Sequence, residues 1–104
     1  LCTVRLDYRG KSIEASASDY FEALAGVRLK LEPENLIPIC YGASLDVFPS
    51  GMCRDMSAGL MAYRLKPRKS PDTQDLVCIF ETGPEVKPSS VAEQRKFFEK
   101  WLKK

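Results

Sequence analysis

Within the first third of the chain, the spacing of apolar residues changes from two to about 3.6, and this change constrains the fold more than any other feature. Apolar residues alternate with polar ones from Val4 to Tyr8 and again around Ile13, on either side of an Arg9-Gly10 pair. Period-two alternation is typical of a half-buried β-strand, and a short glycine-containing break is typical of a tight turn. Residues 2–16 are therefore predicted to form a β-hairpin.

The next segment has the pattern of an amphipathic helix. Ser18 or Asp19 is expected to cap this helix, with Glu22 as the capping-box partner of Asp19. Pro33 is expected to end it, because the residue before a proline avoids the α region. One stripe of the helix is apolar and is expected to face the core; it consists of Tyr20, Leu24, Val27 and Leu31.

Three later runs, at residues 36–41, 60–65 and 76–80, are predicted to be strands. The last run is the most apolar of the three, which favours a central position in a sheet. A final helix is expected to begin at Ser90, which forms a Ser-x-x-Glu capping box with Glu93.

These elements predict an α+β fold with the order β-β-α-β-β-β-α. The expected architecture is a four- to five-stranded, mainly antiparallel sheet with two helices packed on one face. A length of 104 residues suits one domain, and we see no linker or internal repeat. The prediction is a single domain covering residues 1–104.

Residues 40–60, here called the central segment, differ in composition from the predicted strands and helices. The segment holds three of the six glycines and two of the four cysteines, and it follows neither a strand nor a helix pattern. Irregular segments held on a rigid scaffold are common locations for binding and catalytic residues. We therefore expect a ligand site, if the protein has one, in the central segment.

Seven polar side chains in or beside the central segment are candidate ligand-binding residues: Tyr41, Asp46, Ser50, Cys53, Arg54, Asp55 and Tyr63. Arg54 suits a carboxylate or phosphate ligand through bidentate hydrogen bonds. Alternatively, it forms an ion pair with Asp46 or Asp55 that holds the segment in place. The same two aspartates are candidates for general acid–base chemistry, although no catalytic residue can be assigned from the sequence.

The chain contains no histidine, which excludes Ser-His-Asp and Cys-His catalysis and histidine-ligated metals within it. Arg54 beside Cys53 would favour a thiolate, but Asp55 opposes this effect. There is no Cys-x-x-Cys motif of the zinc-ribbon or thioredoxin type. We therefore expect no metal and no cofactor, and we interpret the cysteines as reduced thiols of a cytoplasmic protein, with two disulfides as the alternative.

The net charge of +2 is nearly balanced, but its distribution along the chain is uneven. Residues 1–63 carry six basic and eight acidic groups, whereas residues 64–104 carry ten basic and six acidic groups. The basic residues of the second part form two clusters, at residues 64–69 and 100–104. These clusters indicate an exposed turn and cations that favour the dipole of a helix C-terminus, or else an anion-binding patch.

The sequence favours a small non-enzymatic binding or interaction domain that uses residues 40–60 for a small molecule or a protein partner. One alternative is a small enzyme acting on an anionic or sugar-like substrate through Arg54 and Asp46 or Asp55. A second alternative is a weak nucleic-acid binder that uses the clusters at 64–69 and 100–104, although the balanced charge argues against this ligand.

Two further expectations concern partners. No apolar run approaches the roughly 20 residues of a membrane span, so we expect no membrane association. An open sheet edge or surplus aromatics on the last helix would suit a homodimer, which we also expect.

Overall fold

A computed structural model describes residues 1–103 of the chain and confirms the predicted α+β class. Its strands are β1 (Cys2–Tyr8), β2 (Lys11–Ala17), β3 (Val47–Phe48), β4 (Met61–Arg64) and β5 (Leu76–Cys78). Its α-helices are α1 (Tyr20–Leu31), α2 (Gly51–Ser57) and α3 (Val91–Leu102). Short 3-10 turns lie at Glu32–Glu34, Tyr41–Ala43 and Thr73–Asp75.

β1 and β2 form the predicted hairpin and pair antiparallel along their whole length. The two turn residues have positive φ angles, 49° at Arg9 and 74° at Gly10. Positive φ at both positions defines a type I′ turn, whose twist matches that of the paired strands. The apolar face of the hairpin packs on α1, because Val4 belongs to the same buried cluster as Leu24 and Val27.

α1 begins and ends close to the predicted residues. Asp19 is its N-cap, and the carboxylate Oδ1 accepts a hydrogen bond of 2.8 Å from the Glu22 N–H. The helix ends at Leu31, and Pro33 lies in the 3-10 turn that follows. Local capping chemistry and the conformational limits of proline therefore account for both ends.

The predicted single sheet with two helices is wrong, because the strands form two separate antiparallel sheets. β1 and β2 form one sheet, and the other has the order β3-β4-β5. The predicted strand at residues 36–41 does not form. Pro38 has no N–H to donate to a neighbouring strand, and the Cys40 N–H turns back to the Pro38 carbonyl at 3.1 Å.

The central segment is more regular than predicted, because it contains α2, a helix that was not predicted. Ser50 caps α2 by accepting a hydrogen bond of 3.1 Å from the Cys53 N–H. At the other end, Ala58 has a φ of 53° and forms a left-handed C-cap. A helix of seven residues makes about two turns, which is too short for a periodic apolar pattern to reveal.

The run at residues 76–80 was predicted to be a central strand, and this prediction is also wrong. β5 contains three residues and lies at the edge of its sheet. Beyond it, the Ile79 N–H bonds to the Leu60 carbonyl and the Ile79 carbonyl accepts from the Gly42 N–H, both at 2.9 Å. Gly42 belongs to a 3-10 turn rather than a strand, so these bonds do not extend the strand ladder. Ile79 is nevertheless fully buried.

One hydrophobic cluster joins residues from both sheets. It includes Val4 of β1, Val27 of α1, Val47 of β3, Ala62 of β4 and the fully buried Ile79. The two sheets are therefore held together by burial of apolar side chains rather than by strand pairing. None of the helices in residues 1–103 has the length and apolar content needed to cross a membrane.

Arg28 lies in this interior and is only 2% exposed. Its Nη1 donates to Gln94 Oε1 at 2.7 Å and to the Gly42 carbonyl at 3.0 Å, and its Nη2 donates to the Ser89 carbonyl at 3.0 Å. These acceptors are all uncharged oxygens. Burial lowers the pKa of Arg28 to about 10, so the guanidinium still carries its charge at neutral pH.

Gln94 of α3 completes the cluster and is 1% exposed. Its Nε2 lies 3.1, 2.8 and 3.0 Å from the carbonyl oxygens of Gly42, Ser44 and Val47. These bonds supply donors to three buried carbonyl oxygens, of which that of Gly42 also accepts from Arg28 and that of Ser44 also accepts from the Val47 N–H. Arg28 and Gln94, here called the Arg28–Gln94 cluster, thus join α1 and α3 to the backbone between Gly42 and Val47.

We expect Gln94→Ala to lower the free energy of unfolding by about 2–4 kcal/mol, because three buried carbonyls and Arg28 lose a partner. Gln94→Glu should also destabilise the protein, since a carboxylate still faces Arg28 but has no N–H for the carbonyls. Urea denaturation followed by the fluorescence of the single tryptophan measures both effects. The control is Lys96→Ala, at an exposed position of the same helix, which should change the free energy of unfolding only slightly. An effect of Gln94→Ala as small as that of Lys96→Ala would contradict this account.

Candidate functional site

The seven residues predicted from the sequence lie on several elements: Tyr41 in a 3-10 turn, Asp46 before β3, Ser50 to Asp55 in or next to α2, and Tyr63 in β4. Most of them already serve the fold. The Ser50 hydroxyl caps α2, and the Cys53 side chain is buried beneath that helix, 8% exposed. Asp55 is exposed and Tyr63 is half-buried.

Tyr41 and Asp46 both hold the segment that precedes α3. The Tyr41 hydroxyl donates a hydrogen bond to Glu85 Oε1, which raises the pKa of Tyr41. Asp46 accepts a hydrogen bond of 2.8 Å from Ser44 Oγ and forms an ion pair of 3.4 Å with Lys87. Both side chains therefore already use polar atoms in contacts within the protein.

Arg54 connects α2 to the start of α1. Its Nη1 lies 2.5 Å from Asp19 Oδ2 and its Nη2 lies 3.2 Å from Glu22 Oε2, so the predicted pairing with Asp46 or Asp55 is wrong. The physical reason is the packing of the two helices, since the Tyr20 N–H donates to the Ala58 carbonyl at 2.8 Å. This contact places the end of α2 against the acidic first turn of α1.

Arg54 also lies over a row of aromatic rings that leads to the C-terminal end of α3. Its guanidinium carbon is 5.6 Å from the ring centroids of both Phe21 and Phe48. Phe48 stacks on Phe98 with a centroid distance of 4.0 Å, and Phe98 is followed by Trp101 at 6.2 Å, with the two planes inclined by 17°. Trp101 is therefore the last ring of the row.

Trp101 is bound to a basic turn that is distant in sequence. Its Nε1 donates a hydrogen bond of 3.0 Å to the Lys66 carbonyl, which also accepts from the Lys69 N–H at 3.4 Å. Pro67 and Arg68 occupy the centre of this turn, and Arg68 has a φ of 59°. Proline followed by a residue of positive φ is typical of a type II turn, where glycine or asparagine is preferred. A bulky side chain at such a φ costs roughly 1–2 kcal/mol.

A buried carboxylate fixes the other side of this turn. Asp75 is 2% exposed, and its Oδ1 lies 3.2 Å from Lys66 Nζ. Its Oδ2 accepts a hydrogen bond of 3.2 Å from the Asp72 N–H. The hydrogen bond from Asp72 and the charge of Lys66 hold the pKa of Asp75 below its ordinary value. Residues 66–70, here called the basic loop, are thus held by Trp101 of α3 on one side and by Asp75 on the other.

A groove of about 490 Å³ opens between the basic loop and the end of α3, and we call it the Trp101 groove. Its lining consists of Arg68, Lys69, Ser70, Trp101 and Leu102. Among residues 1–103, this lining combines two cations, a hydroxyl and an indole ring, and it contains no carboxylate. Nearby, Lys100 in the last turn of α3 and Lys103 at its C-cap are both exposed. The groove therefore presents positive charge next to an aromatic surface.

The cations of the groove differ in how far they are neutralised. Lys69 Nζ is 4.0 Å from Asp72 Oδ2, and both side chains are about half exposed. No ion pair involves Arg68 among the residues that the structure describes. Arg64 is not part of the groove lining, and its Nη1 lies 3.8 Å from Glu85 Oε1, with which it forms an ion pair. Arg68 is thus the cation of the groove that is free to bind an anion.

From the sequence, the two basic clusters were combined only in the alternative of a nucleic-acid binder, and Trp101 was not singled out. The structure brings the clusters together through the contact of Trp101 with Lys66, residues 35 positions apart. The signal available in the sequence was a single tryptophan placed directly after Lys100 in a basic segment. Interleaved aromatic and basic residues of this kind are typical of surfaces that bind nucleic acids.

Groups suited to metal binding or redox chemistry are sparse in the structure. In residues 1–103, no three carboxylate or thiol side chains gather as metal ligands would. Cys2, Cys40, Cys53 and Cys78 are all unpaired. Burial raises the pKa of the Cys40 thiol, which disfavours its reactive thiolate form.

Comparison with known proteins returned no match at two levels. The chain matches no protein-family model, and no curated protein shows significant sequence similarity to it.

We expect Arg54→Ala to reduce the free energy of unfolding by about 1.5–3 kcal/mol, because the nearly buried Asp19 loses a charged hydrogen-bond partner. Asp55→Ala is the matched control on the same helix and should change it by less than about 0.5 kcal/mol, since Asp55 is exposed. Urea denaturation measures both values. Equal effects of the two substitutions would show that Arg54 does not stabilise the contact between α1 and α2.

The lowered pKa of Asp75 predicts how the stability of the basic loop depends on pH. A carboxylate with a depressed pKa in the folded state stabilises fully above its unfolded pKa, about 3.8, and this contribution disappears as pH falls through the folded pKa. The difference in unfolding free energy between wild type and Asp75→Asn should therefore be constant between about pH 5 and 7 and shrink below about pH 4. Trp101 fluorescence during urea titrations at each pH tests this, and a difference that grows at acidic pH would contradict it.

Proposed function

We propose that this protein is a non-enzymatic binding domain that holds an anionic ligand in the Trp101 groove, and that the ligand is single-stranded nucleic acid. The observation that carries the proposal is the hydrogen bond between Trp101 Nε1 and the Lys66 carbonyl, which sets an indole ring beside the basic loop. Single strands are bound by cations that follow the phosphates and by aromatic rings on which bases stack. The Trp101 groove offers both features within one continuous surface.

Arg68 supports an anionic ligand. Its backbone adopts a conformation that favours glycine or asparagine, yet the residue there is a long cationic side chain. Backbone strain of this kind is common at functional sites. Arg68 also lacks an acidic partner among residues 1–103, so it can bind a phosphate without first breaking an ion pair.

Trp101 supports a ligand with planar groups rather than a simple anion. The ring is half-buried, and it ends the row that begins with Phe48 and Phe98. Its position is fixed by a hydrogen bond and by stacking, so little conformational entropy is lost when a further ring stacks on it. A nucleobase stacked there would extend the row by one member.

The central segment is a weaker candidate in the folded protein. Arg54, Asp46 and Tyr41 satisfy much of their hydrogen-bonding capacity within the chain. Binding a ligand there would require breaking these contacts, and a buried partner such as Asp19 would lose its counter-charge. Among residues 1–103, the lining of the Trp101 groove contains neither carboxylate nor histidine, the side chains that most often act as general acids and bases, which favours binding without catalysis.

The charge of the groove limits the expected affinity. Arg68, Lys69 and the exposed Lys100 could neutralise about three phosphates, which predicts a slope near −2 for log affinity against log salt on a single strand. Binding should therefore be micromolar or weaker at physiological salt. A flat salt dependence would contradict a phosphate-binding role.

The test uses Trp101, which is the only tryptophan, as its own reporter. Titration of the protein with oligothymidylate of about 12 nucleotides should quench the emission, since a stacked base contacts the indole. Arg68→Asn should weaken binding about 5- to 10-fold by removing one phosphate contact, while asparagine tolerates the positive φ and keeps the protein folded.

Arg9→Asn is the matched control, because Arg9 also has a positive φ but lies in the β1–β2 turn. It makes the same change of charge in the same kind of backbone conformation and should leave binding unchanged. An abasic strand of equal length separates the two parts of the proposal. Equal affinity for both strands would retain an anion site and reject base stacking, whereas no binding of either strand would reject the function.

A further inference from the structure

The outer edge of β1 is available for pairing with another strand. In the residues that the structure describes, β2 is the sole ladder partner of β1. An unpaired edge presents a row of backbone N–H and C=O groups, which can accept a further strand. Proteins commonly cover, twist or charge such edges, so the side chains on β1 decide what the edge can accept.

The hairpin geometry determines which backbone groups face outward. A two-residue turn makes Tyr8 and Lys11 a hydrogen-bonded pair, and such pairs alternate with non-bonded ones along an antiparallel ladder. The N–H and C=O groups of Thr3, Arg5 and Asp7 therefore point away from β2. Among residues 1–103, no backbone hydrogen bond from outside the hairpin reaches these three residues.

The side chains of the same three residues lie on the exposed face of the hairpin, whereas Val4 and Leu6 face α1. Arg5 and Asp7 carry opposite charges two positions apart, and Arg5 Nε lies 3.0 Å from Asp7 Oδ1. Both side chains are more than 60% exposed, at 62% and 65%. The edge thus carries one positive and one negative group at adjacent outward-facing positions.

We infer that two copies of this protein associate through antiparallel pairing of their β1 edges, in the register that places Arg5 opposite Asp7 of the second copy. A two-fold axis through Leu6 generates both ion pairs, because Asp7 then also faces Arg5 of the second copy. In this register both residues occupy hydrogen-bonded positions, as their outward backbone groups require. On the opposite face of the sheet, Leu6 lies opposite Leu6 of the second copy, and Val4 lies opposite Tyr8 of the second copy.

Charge selects this register over its neighbours. Outward-pointing and inward-pointing backbone groups alternate along β1, so the second copy can shift along this edge only by two residues at a time. One such shift places Arg5 opposite Arg5 of the second copy, and the other places Asp7 opposite Asp7. Like charges directly opposite each other destabilise an antiparallel pair, whereas opposite charges stabilise it. The charge pattern therefore favours the register that pairs Arg5 with Asp7 over the two neighbouring registers of the same pairing.

The resulting dimer has a continuous four-stranded sheet with the order β2-β1-β1-β2. Both copies of α1 lie on the same face of this sheet, because α1 packs on the apolar face of each hairpin. The ion pairs are exposed to solvent, so each contributes little and is weakened by salt. The dimer should accordingly be weak, and its population should depend on protein concentration.

Charge exchange between variants tests the inference. Arg5→Asp and Asp7→Arg each place like charges at both contacts, so each variant alone should dimerise at least about 10-fold more weakly than wild type. An equimolar mixture of the two variants should form a heterodimer, because each contact then joins a carboxylate of one variant to a guanidinium of the other. Sedimentation equilibrium over a hundredfold range of concentration measures each case.

Asp55→Arg is the control, because it changes the net charge by as much as Asp7→Arg but lies at an exposed position of α2, outside the hairpin. It should dimerise like wild type. Amide hydrogen exchange should also show protection of the Arg5 and Asp7 N–H groups that increases with concentration. Wild type that stays monomeric, single variants that dimerise normally, or a mixture that stays monomeric would each overturn the inference.

Discussion

The Arg28–Gln94 cluster is the interaction on which the rest of the structure depends. A guanidinium buried to this extent needs compensation, and here it comes from carbonyl and amide oxygens rather than from a carboxylate. The same cluster also serves the carbonyls near Gly42, which need hydrogen-bond donors because folding buries them away from water. Gln94 supplies those donors and accepts from Arg28. Two helices and one buried backbone segment are therefore oriented by a single group of side chains.

The position of α3 follows from this cluster, and the Trp101 groove follows from the position of α3. Gln94 anchors the first half of the helix, while Phe98 stacks on Phe48 in the second half. Those two contacts direct Trp101 towards the basic loop, where Asp75 has already fixed Lys66. The groove thus depends on β3, the basic loop and α3, which are distant in sequence. The basic loop supplies the charge and α3 supplies the indole ring, while Phe48 of β3 holds α3 in place.

The central segment illustrates how a composition that suggests a site can instead serve the scaffold. Its glycines, serines and charged residues are needed for close packing, capping and ion pairs between elements. A Cβ atom at Gly42 would collide with the side chain of Leu24, so glycine there allows the backbone to approach α1. Ser50 caps a short helix, and Arg54 joins that helix to Asp19. Polar residues that satisfy buried partners carry stability, and they are poorly available to a ligand.

The sequence by itself determined the elements whose formation depends on local chemistry. The β1–β2 hairpin follows from alternation and the Arg9-Gly10 turn, and α1 and α3 follow from capping residues and apolar stripes. Only the tertiary structure decided how these elements combine. The second sheet pairs residues 13 to 17 positions apart. The partners of Arg54 and the meeting of Trp101 with Lys66 depend on contacts between residues more than 30 positions apart. Such contacts are selected by packing and by the need to satisfy buried polar groups, and local periodicity carries no information about either.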